Sequence, residues 1–179
     1  MIKSEIRKKI LKIRKQNNSK NLKIDFDQLL KIFKEEKIYG KIIGGYYPYN
    51  YEIDDIKILE KLEKKNFRIS LPKIKKNSQM NFSPWSIKDP LKINKYGIPE
   101  PVTHQIIYPN IILVPLVAYD KNLNRVGYGG GFYDRYIKKI KKKKKVTIIG
   151  LAYSFQKVKK IPINRYDIKL DFIITEKHN

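Results

Sequence analysis

The chain has 179 residues, of which 41% are hydrophobic and 12% aromatic, and it contains no cysteine. That length suits one α/β domain with a sizeable core, and the apolar content excludes a disordered polymer. The lack of cysteine excludes disulfides, thiolate catalysis and cysteine-ligated metals. The charged stretch over residues 1–16 has no apolar core of signal-peptide length, and no apolar run approaches a membrane span. We therefore expect a cytoplasmic protein without a membrane partner.

The formal net charge of +23 at pH 7 points to a polyanion as one class of partner. The excess is almost all lysine, spread from Lys3 to Lys177 instead of gathered in one stripe. It accompanies abundant isoleucine and asparagine, which an AT-rich genome over-uses. Two interpretations stay open, coding bias with a solvated basic surface or attraction to polyanions. We favour the first and expect no specific nucleic-acid partner.

The first half of the chain alternates helical and extended patterns. Isoleucines recur at helical spacing over residues 2–16, and Asp25 is a typical N-cap for a second helix. Asp54 or Asp55 begins a third helix, in which apolar residues recur on one face. Three segments are extended: a β-type run over 41–49 stopped by Pro48, a strand over 67–72 and a proline-punctuated segment over 80–85.

The second half predicts a parallel sheet. Five glycines and prolines between residues 89 and 109 indicate a long loop without regular structure. Residues 111–119 are nearly continuously apolar, as in a central strand buried on both faces. A helix over about 131–143 and buried strands over 146–153 and 170–176 follow. This order predicts one layered α/β domain over residues 1–179, with a mostly parallel sheet flanked by helices.

A glycine-rich segment separates the central strand from the helix that follows. Glycines let backbone N–H groups approach an anion, and a helix N-terminus adds unsatisfied donors and a positive dipole end. A tight turn is the plainer interpretation, but it needs only one or two glycines. The segment fits neither the dinucleotide fingerprint nor the P-loop. We therefore predict a phosphate site formed by Gly127, Gly129, Gly130 and Gly131, with Arg125 offering its guanidinium to the phosphates.

Asp134 lies in the first turn of the helix after the glycines. An acid is favoured there by the helix dipole alone. It is also a typical Mg²⁺ ligand, because Mg²⁺ takes one or two carboxylates together with phosphate oxygens. Its position does not distinguish these two roles.

The run RVGYGGGFYDRYI resembles the signature of the 5-formyltetrahydrofolate cyclo-ligase family, R-x-G-x-G-x-G-Y-Y-D. The resemblance runs the length of the chain. KSEIRKKIL is similar to the family's ATP-contacting helix, YYPYNYEIDD to its substrate-binding stretch and KYGIPEP to its G-I-P-E-P loop, and residues 150–176 are similar to its C-terminal block. Phe132 replaces a frequent tyrosine, which removes one hydroxyl from the nucleotide loop.

The resemblance implies a fold and a set of site residues. The family's fold is the layered α/β architecture of sugar-phosphate isomerases and CoA transferases. Without the resemblance, Glu52 would be interpreted as an acid preceding a helix. Trp85 and Tyr153 could stack on the folate rings, although aromatics in such segments are more often core, and we expect His104 to be a surface histidine. The implied residues are Lys3, Arg7, Arg125, Gly127, Gly129, Gly130, Gly131, Phe132 and Tyr133 for ATP, Tyr47, Glu52, Tyr96 and Tyr153 for the folate, and Asp134 and Asp167 for the metal.

The implied reaction is ATP- and Mg²⁺-dependent cyclisation of 5-formyltetrahydrofolate to 5,10-methenyltetrahydrofolate. ATP phosphorylates the formyl oxygen, the other folate nitrogen attacks the activated carbon, and ADP and phosphate are released. No protein nucleophile is needed, in agreement with a chain that lacks cysteine. We expect a monomer whose partners are these small molecules. Two alternatives remain, a sugar-phosphate isomerase or deaminase of similar fold and a basic RNA-associated protein.

Overall fold

The computed structural model describes residues 1–17, 22–38, 41–75 and 78–177. Each predicted helix is present in it. Asp25 caps the second helix, because its Oδ1 accepts a hydrogen bond from the Asp27 N–H at 2.9 Å. The helices are α1 (Lys3–Gln16), α2 (Phe26–Glu35), α3 (Ile56–Lys64) and α4 (Phe132–Lys141), with a short 3₁₀ turn at Ser154–Gln156.

In the described part of the chain, six strands form the central sheet and four form two small hairpins. The sheet order is β10-β9-β6-β1-β2-β3, and every neighbouring pair is parallel except β2 with β3. The mostly parallel α/β fold is therefore confirmed. The strands are β1 (Ile42–Gly44), β2 (Arg68–Ile74), β3 (Met80–Pro84), β4 (Leu91–Ile93), β5 (Pro99–Pro101), β6 (Ile111–Pro115), β7 (Ala118–Tyr119), β8 (Arg125–Val126), β9 (Thr147–Leu151) and β10 (Phe172–Ile174).

Helices cover both faces of the sheet. Leu113 of β6 packs in one cluster with the apolar faces of α2 and α3. Its neighbour Val114 packs in a second cluster with α4, because successive strand residues point to opposite faces. Helix α1 lies apart from both, with Ile6 and Ile10 packed against the hairpin of β7 and β8.

Two sequence predictions about strands were wrong. The segment over 89–109 is not structureless, since β4 and β5 pair antiparallel within it. The predicted strand over 111–119 is two strands: β6 ends at Pro115, and β7 pairs with β8. The chain leaves the sheet here because the Val117 N–H donates to Val126 O instead of continuing the ladder.

The carboxyl ends of the parallel strands lie at one edge of the sheet, where α/β proteins commonly bind ligands. The segment after β1, residues 45–55, begins at that edge, and so does the turn after β6. The hairpin of β7 and β8 leads from there into the glycine segment. None of the helices in the described ranges is both long and apolar enough to cross a bilayer.

Candidate active site

A cavity of about 970 Å³ lies at this edge. Its volume is at the upper end of the range for small-molecule sites. Its walls are the N-terminal half of α1, the segment after β1, the glycine segment with the start of α4, part of the loop around Tyr96, and the loop before β10. Every site residue named from the sequence lines this cavity except Tyr153.

The glycine segment owes its shape to residues without a Cβ. Gly129 has φ +101° and Gly131 has φ +64°, in the left-handed region that disfavours other residues. A Cβ on Gly130 would lie 2.7 Å from the Phe132 ring. Because the backbone follows this course, the first turn of α4 lies at the cavity. Its unpaired N–H groups and the helix dipole favour an anion there.

Helix α1 is fixed against the glycine segment by arginine. Arg7 Nε donates to Gly127 O at 2.8 Å, and the Arg7 guanidinium lies beside Gly129. One turn earlier, the Lys3 ammonium forms an ion pair with Asp167. Two cationic side chains of α1 therefore border the same space as the glycine amides, an arrangement suited to a polyphosphate.

Arg125 lines the cavity, but its guanidinium is engaged by protein groups. Nη2 donates to Asp134 Oδ1 at 2.9 Å, and Nη1 donates to Ile168 O at 2.6 Å. The Arg125 side chain is only 5% exposed. Because the Ile168 N–H also donates to Asp134 Oδ1, at 3.0 Å, the three residues join β8, α4 and the loop before β10. These bonds of Arg125 to protein groups were not predicted from the sequence. Its contact with phosphates stays a prediction.

Two acids are candidates to hold a metal. Asp134 and Asp167 both line the cavity. Lys3 and the Asn164 N–H both donate to Asp167 Oδ2, and the bonds of Asp134 converge on its Oδ1, so each acid keeps one oxygen outside these bonds. No group of three or more potential ligands occurs within the described residues. Since Mg²⁺ needs only one or two carboxylates when phosphates complete its shell, the donor set fits Mg²⁺.

Another part of the cavity wall is aromatic and carries one buried acid. Tyr47 and Glu52 come from the segment after β1, and Tyr96 packs edge-on against Phe132 with ring centroids 5.8 Å apart. Glu52 Oε2 accepts from the Tyr49 N–H at 2.9 Å. Burial raises the pKa of Glu52 to about 7, although that N–H and the nearby Arg14 guanidinium lower it.

Three residues considered from the sequence lie elsewhere. Tyr153 is stacked on Phe155, with ring centroids 5.2 Å apart, and is not part of the cavity wall. Trp85 is buried in the core, where its indole N–H donates to Asp89 O at 3.2 Å. His104 is exposed, as expected of a surface histidine.

Arg14 and Tyr128 were not among the residues predicted from the sequence. Arg14 is 1% exposed and occupies a buried position of α1. Its Nη1 donates to the Tyr128 hydroxyl at 2.9 Å and its Nη2 to Leu116 O. Tyr128 in turn packs edge-on against Tyr49. The spacing from Ile6 and Ile10 was the available signal, because it places residue 14 on the apolar face.

Comparison with known proteins agrees with this geometry. Residues 1–176 match the 5-formyltetrahydrofolate cyclo-ligase family. The 5-formyltetrahydrofolate cyclo-ligase of Haemophilus influenzae is 33% identical over 142 residues, 75% of each chain. That of Escherichia coli K12 is 30% identical over 145 residues, 77% of this chain and 79% of its own.

Two solved structures share the fold over nearly the whole chain. The 5,10-methenyltetrahydrofolate synthetase of Aquifex aeolicus aligns with a TM-score of 0.78 at 30% identity, covering 99% of this chain and 91% of its own. The synthetase of Mycoplasma pneumoniae aligns with a TM-score of 0.71 at 27% identity, covering 99% and 100%. With the family match spanning almost every residue, the chain belongs to the 5-formyltetrahydrofolate cyclo-ligase family.

Proposed function

We propose that this chain uses ATP and Mg²⁺ to convert 5-formyltetrahydrofolate into 5,10-methenyltetrahydrofolate, releasing ADP and phosphate. Family membership implies ATP as co-substrate. The observation that carries the proposal is that one cavity combines an anion-binding wall with an aromatic wall. A phosphoryl donor and a ring-bearing acceptor can therefore meet inside it.

The anion-binding wall suits the triphosphate. The amides of Gly127, Gly129, Gly130 and Gly131 and the first turn of α4, with Phe132 and Tyr133, supply N–H donors, and Lys3 and Arg7 supply positive charge. Phosphoryl transfer depends mostly on positioning and charge neutralisation, so these groups suffice without a protein nucleophile. Asp134, with Asp167 beside it, would hold Mg²⁺. When bound, Mg²⁺ neutralises charge on the phosphates.

The aromatic wall suits the folate. We assign Tyr47 and Tyr96 to ring contacts and Glu52 to polar groups of the pterin. In the reaction, the formyl oxygen attacks the terminal phosphorus of ATP and ADP leaves. The second folate nitrogen then attacks the activated carbon, phosphate departs, and the ring is closed. The protein's part is to hold the formyl oxygen in line with the phosphate.

The direct assay follows the near-ultraviolet absorbance of the methenyl product. Product should form only when nucleotide and divalent metal are both present, and ADP and phosphate should appear in equal amounts with it. Omitting each component in turn supplies the controls. Ring closure without nucleotide, or no product at any nucleotide concentration, would contradict the proposal and favour an isomerase of similar architecture.

Asp134→Asn should lower turnover roughly a hundredfold, because the amide keeps the shape but withdraws the charge that would hold the metal. High Mg²⁺ should partly restore the rate. The amide oxygen can still accept from Arg125 and from the Ile168 N–H, so the melting temperature should change little. Steady-state kinetics against Mg²⁺ and thermal denaturation measure the two effects.

Asp27→Asn is the matched control, since Asp27 is an exposed acid in the first turn of α2. It should show only the loss of a dipole interaction, at most about 0.3–1 kcal/mol of stability, with unchanged turnover. If Asp134→Asn instead melts early but turns over normally while folded, Asp134 is structural.

Arg125→Ala should raise the apparent KM for ATP about ten- to hundredfold and that for the folate much less, because the glycine segment and α4 lose an anchor. It should also lower the free energy of unfolding by about 1–3 kcal/mol, since Asp134 and Ile168 O lose their donor. Substrate titrations and urea denaturation measure these changes. Arg68→Ala, at an exposed position of β2, should alter neither. Equal effects on both KM values would show that Arg125 supports the cavity as a whole and has no particular role at the nucleotide side.

A further inference from the structure

We propose that Glu52 accepts the proton that the attacking folate nitrogen loses as the ring closes. The inference rests on the proposed function, and it gives Glu52 a chemical step beyond contact with the substrate.

The carboxyl of Glu52 is held in the cavity with one oxygen committed. Oε2 accepts the Tyr49 N–H at 2.9 Å, which fixes the side chain and leaves Oε1 to the cavity. Glu52 is 9% exposed and takes part in no ion pair with any residue that the structure describes. The guanidinium of Arg14, the cation that lowers the pKa of Glu52, is directed to Leu116 O and the Tyr128 hydroxyl.

Ring closure releases a proton that needs an acceptor. The attacking nitrogen carries one hydrogen, and its lone pair forms the new bond to the activated formyl carbon. The bond from that carbon to the phosphate oxygen then breaks, and phosphate leaves with the electron pair. The N–H bond gives its electrons back to nitrogen, and the proton passes to Glu52 Oε1. Water takes this proton after product release, so the step needs no further co-reactant.

The surroundings of Glu52 match a base that works near neutrality. Burial raises its pKa to about 7, so its carboxylate is present above that pH and is lost as the pH falls through it. A general base is most effective when its pKa lies close to the working pH. Other titratable or charged groups also act on Glu52 or are acted on by it: Arg14 of α1, Tyr46 and Asp55 of its own segment, Tyr128, Tyr133 of α4, and Tyr153.

Of the neighbouring acids that the structure describes, none is placed to substitute for Glu52. Asp55 is fully buried and is not part of the cavity wall, and its Oδ2 accepts the Tyr46 N–H at 3.1 Å. Burial raises the pKa of Asp55 well above its ordinary value. Asp134 lies on the anion-binding wall and is bonded to Arg125.

The test is the pH dependence of the single-turnover rate. The unmutated protein should show a rate that rises with pH and levels off above about pH 7. In Glu52→Gln the amide oxygen can still accept the Tyr49 N–H, but the side chain cannot take a proton. We expect its rate constant to fall by about 10²–10⁴, the rise near pH 7 to vanish, and the KM for the folate to change less than fivefold, roughly.

Glu52→Asp provides a second test that retains a carboxylic acid. Its rate should be lower because the group is displaced, but the dependence on pH should remain. Glu60→Gln is the matched control, since Glu60 is an α3 acid paired with Lys64 and lies outside the cavity wall. It should leave rate and pH profile unchanged.

Three results would overturn the inference. Glu52→Gln could keep the rise near pH 7, it could raise KM without slowing the single turnover, or Glu52→Asp could lose the pH dependence. In the first two cases Glu52 only binds the pterin. These outcomes are separate from failure of the proposed function, in which the unmutated protein forms no product at any pH.

Discussion

The cavity depends on one buried charge, the guanidinium of Arg14. It donates to Leu116 O, where the chain leaves the sheet, and to the Tyr128 hydroxyl in the glycine segment. A third, longer contact of 3.4 Å reaches Asn50 O after β1. A buried cation without acceptors is costly, so these groups must stay where they are. Arg14 thereby holds α1, the end of β6 and two cavity walls in one arrangement.

Each wall held in this way contributes different chemistry. Helix α1 brings Lys3 and Arg7 to the glycine amides, and the ring of Tyr128 packs against Tyr49 beside the aromatic wall. The Tyr49 N–H in turn fixes the carboxyl of Glu52. The groups proposed to bind phosphate and the group proposed to receive a proton are therefore positioned by one connected set of hydrogen bonds and ring contacts.

Local patterns predicted what depends on neighbouring residues. The spacing of apolar residues predicted the helices, and the run of glycines predicted the turn before α4. The hydrogen bond of Arg125 to Ile168 O could not be predicted, because the two residues are 43 positions apart in the chain. Arg14 was missed because arginine usually marks a solvated face. The hairpin of β4 and β5 was missed because prolines argue against strands, yet a small two-stranded ribbon tolerates them, since its outer N–H groups need no partner.

The mechanism proposed above requires that the formyl oxygen is itself phosphorylated in this cavity. A suitable substrate to examine this is 5-formyltetrahydrofolate carrying heavy oxygen in the formyl group, under single turnover with unlabelled ATP. Mass analysis of the released phosphate should find the heavy oxygen there, one atom for each ring closed. Phosphate without the label, formed at the same rate as the methenyl product, would mean that ATP is hydrolysed by water and would contradict the account.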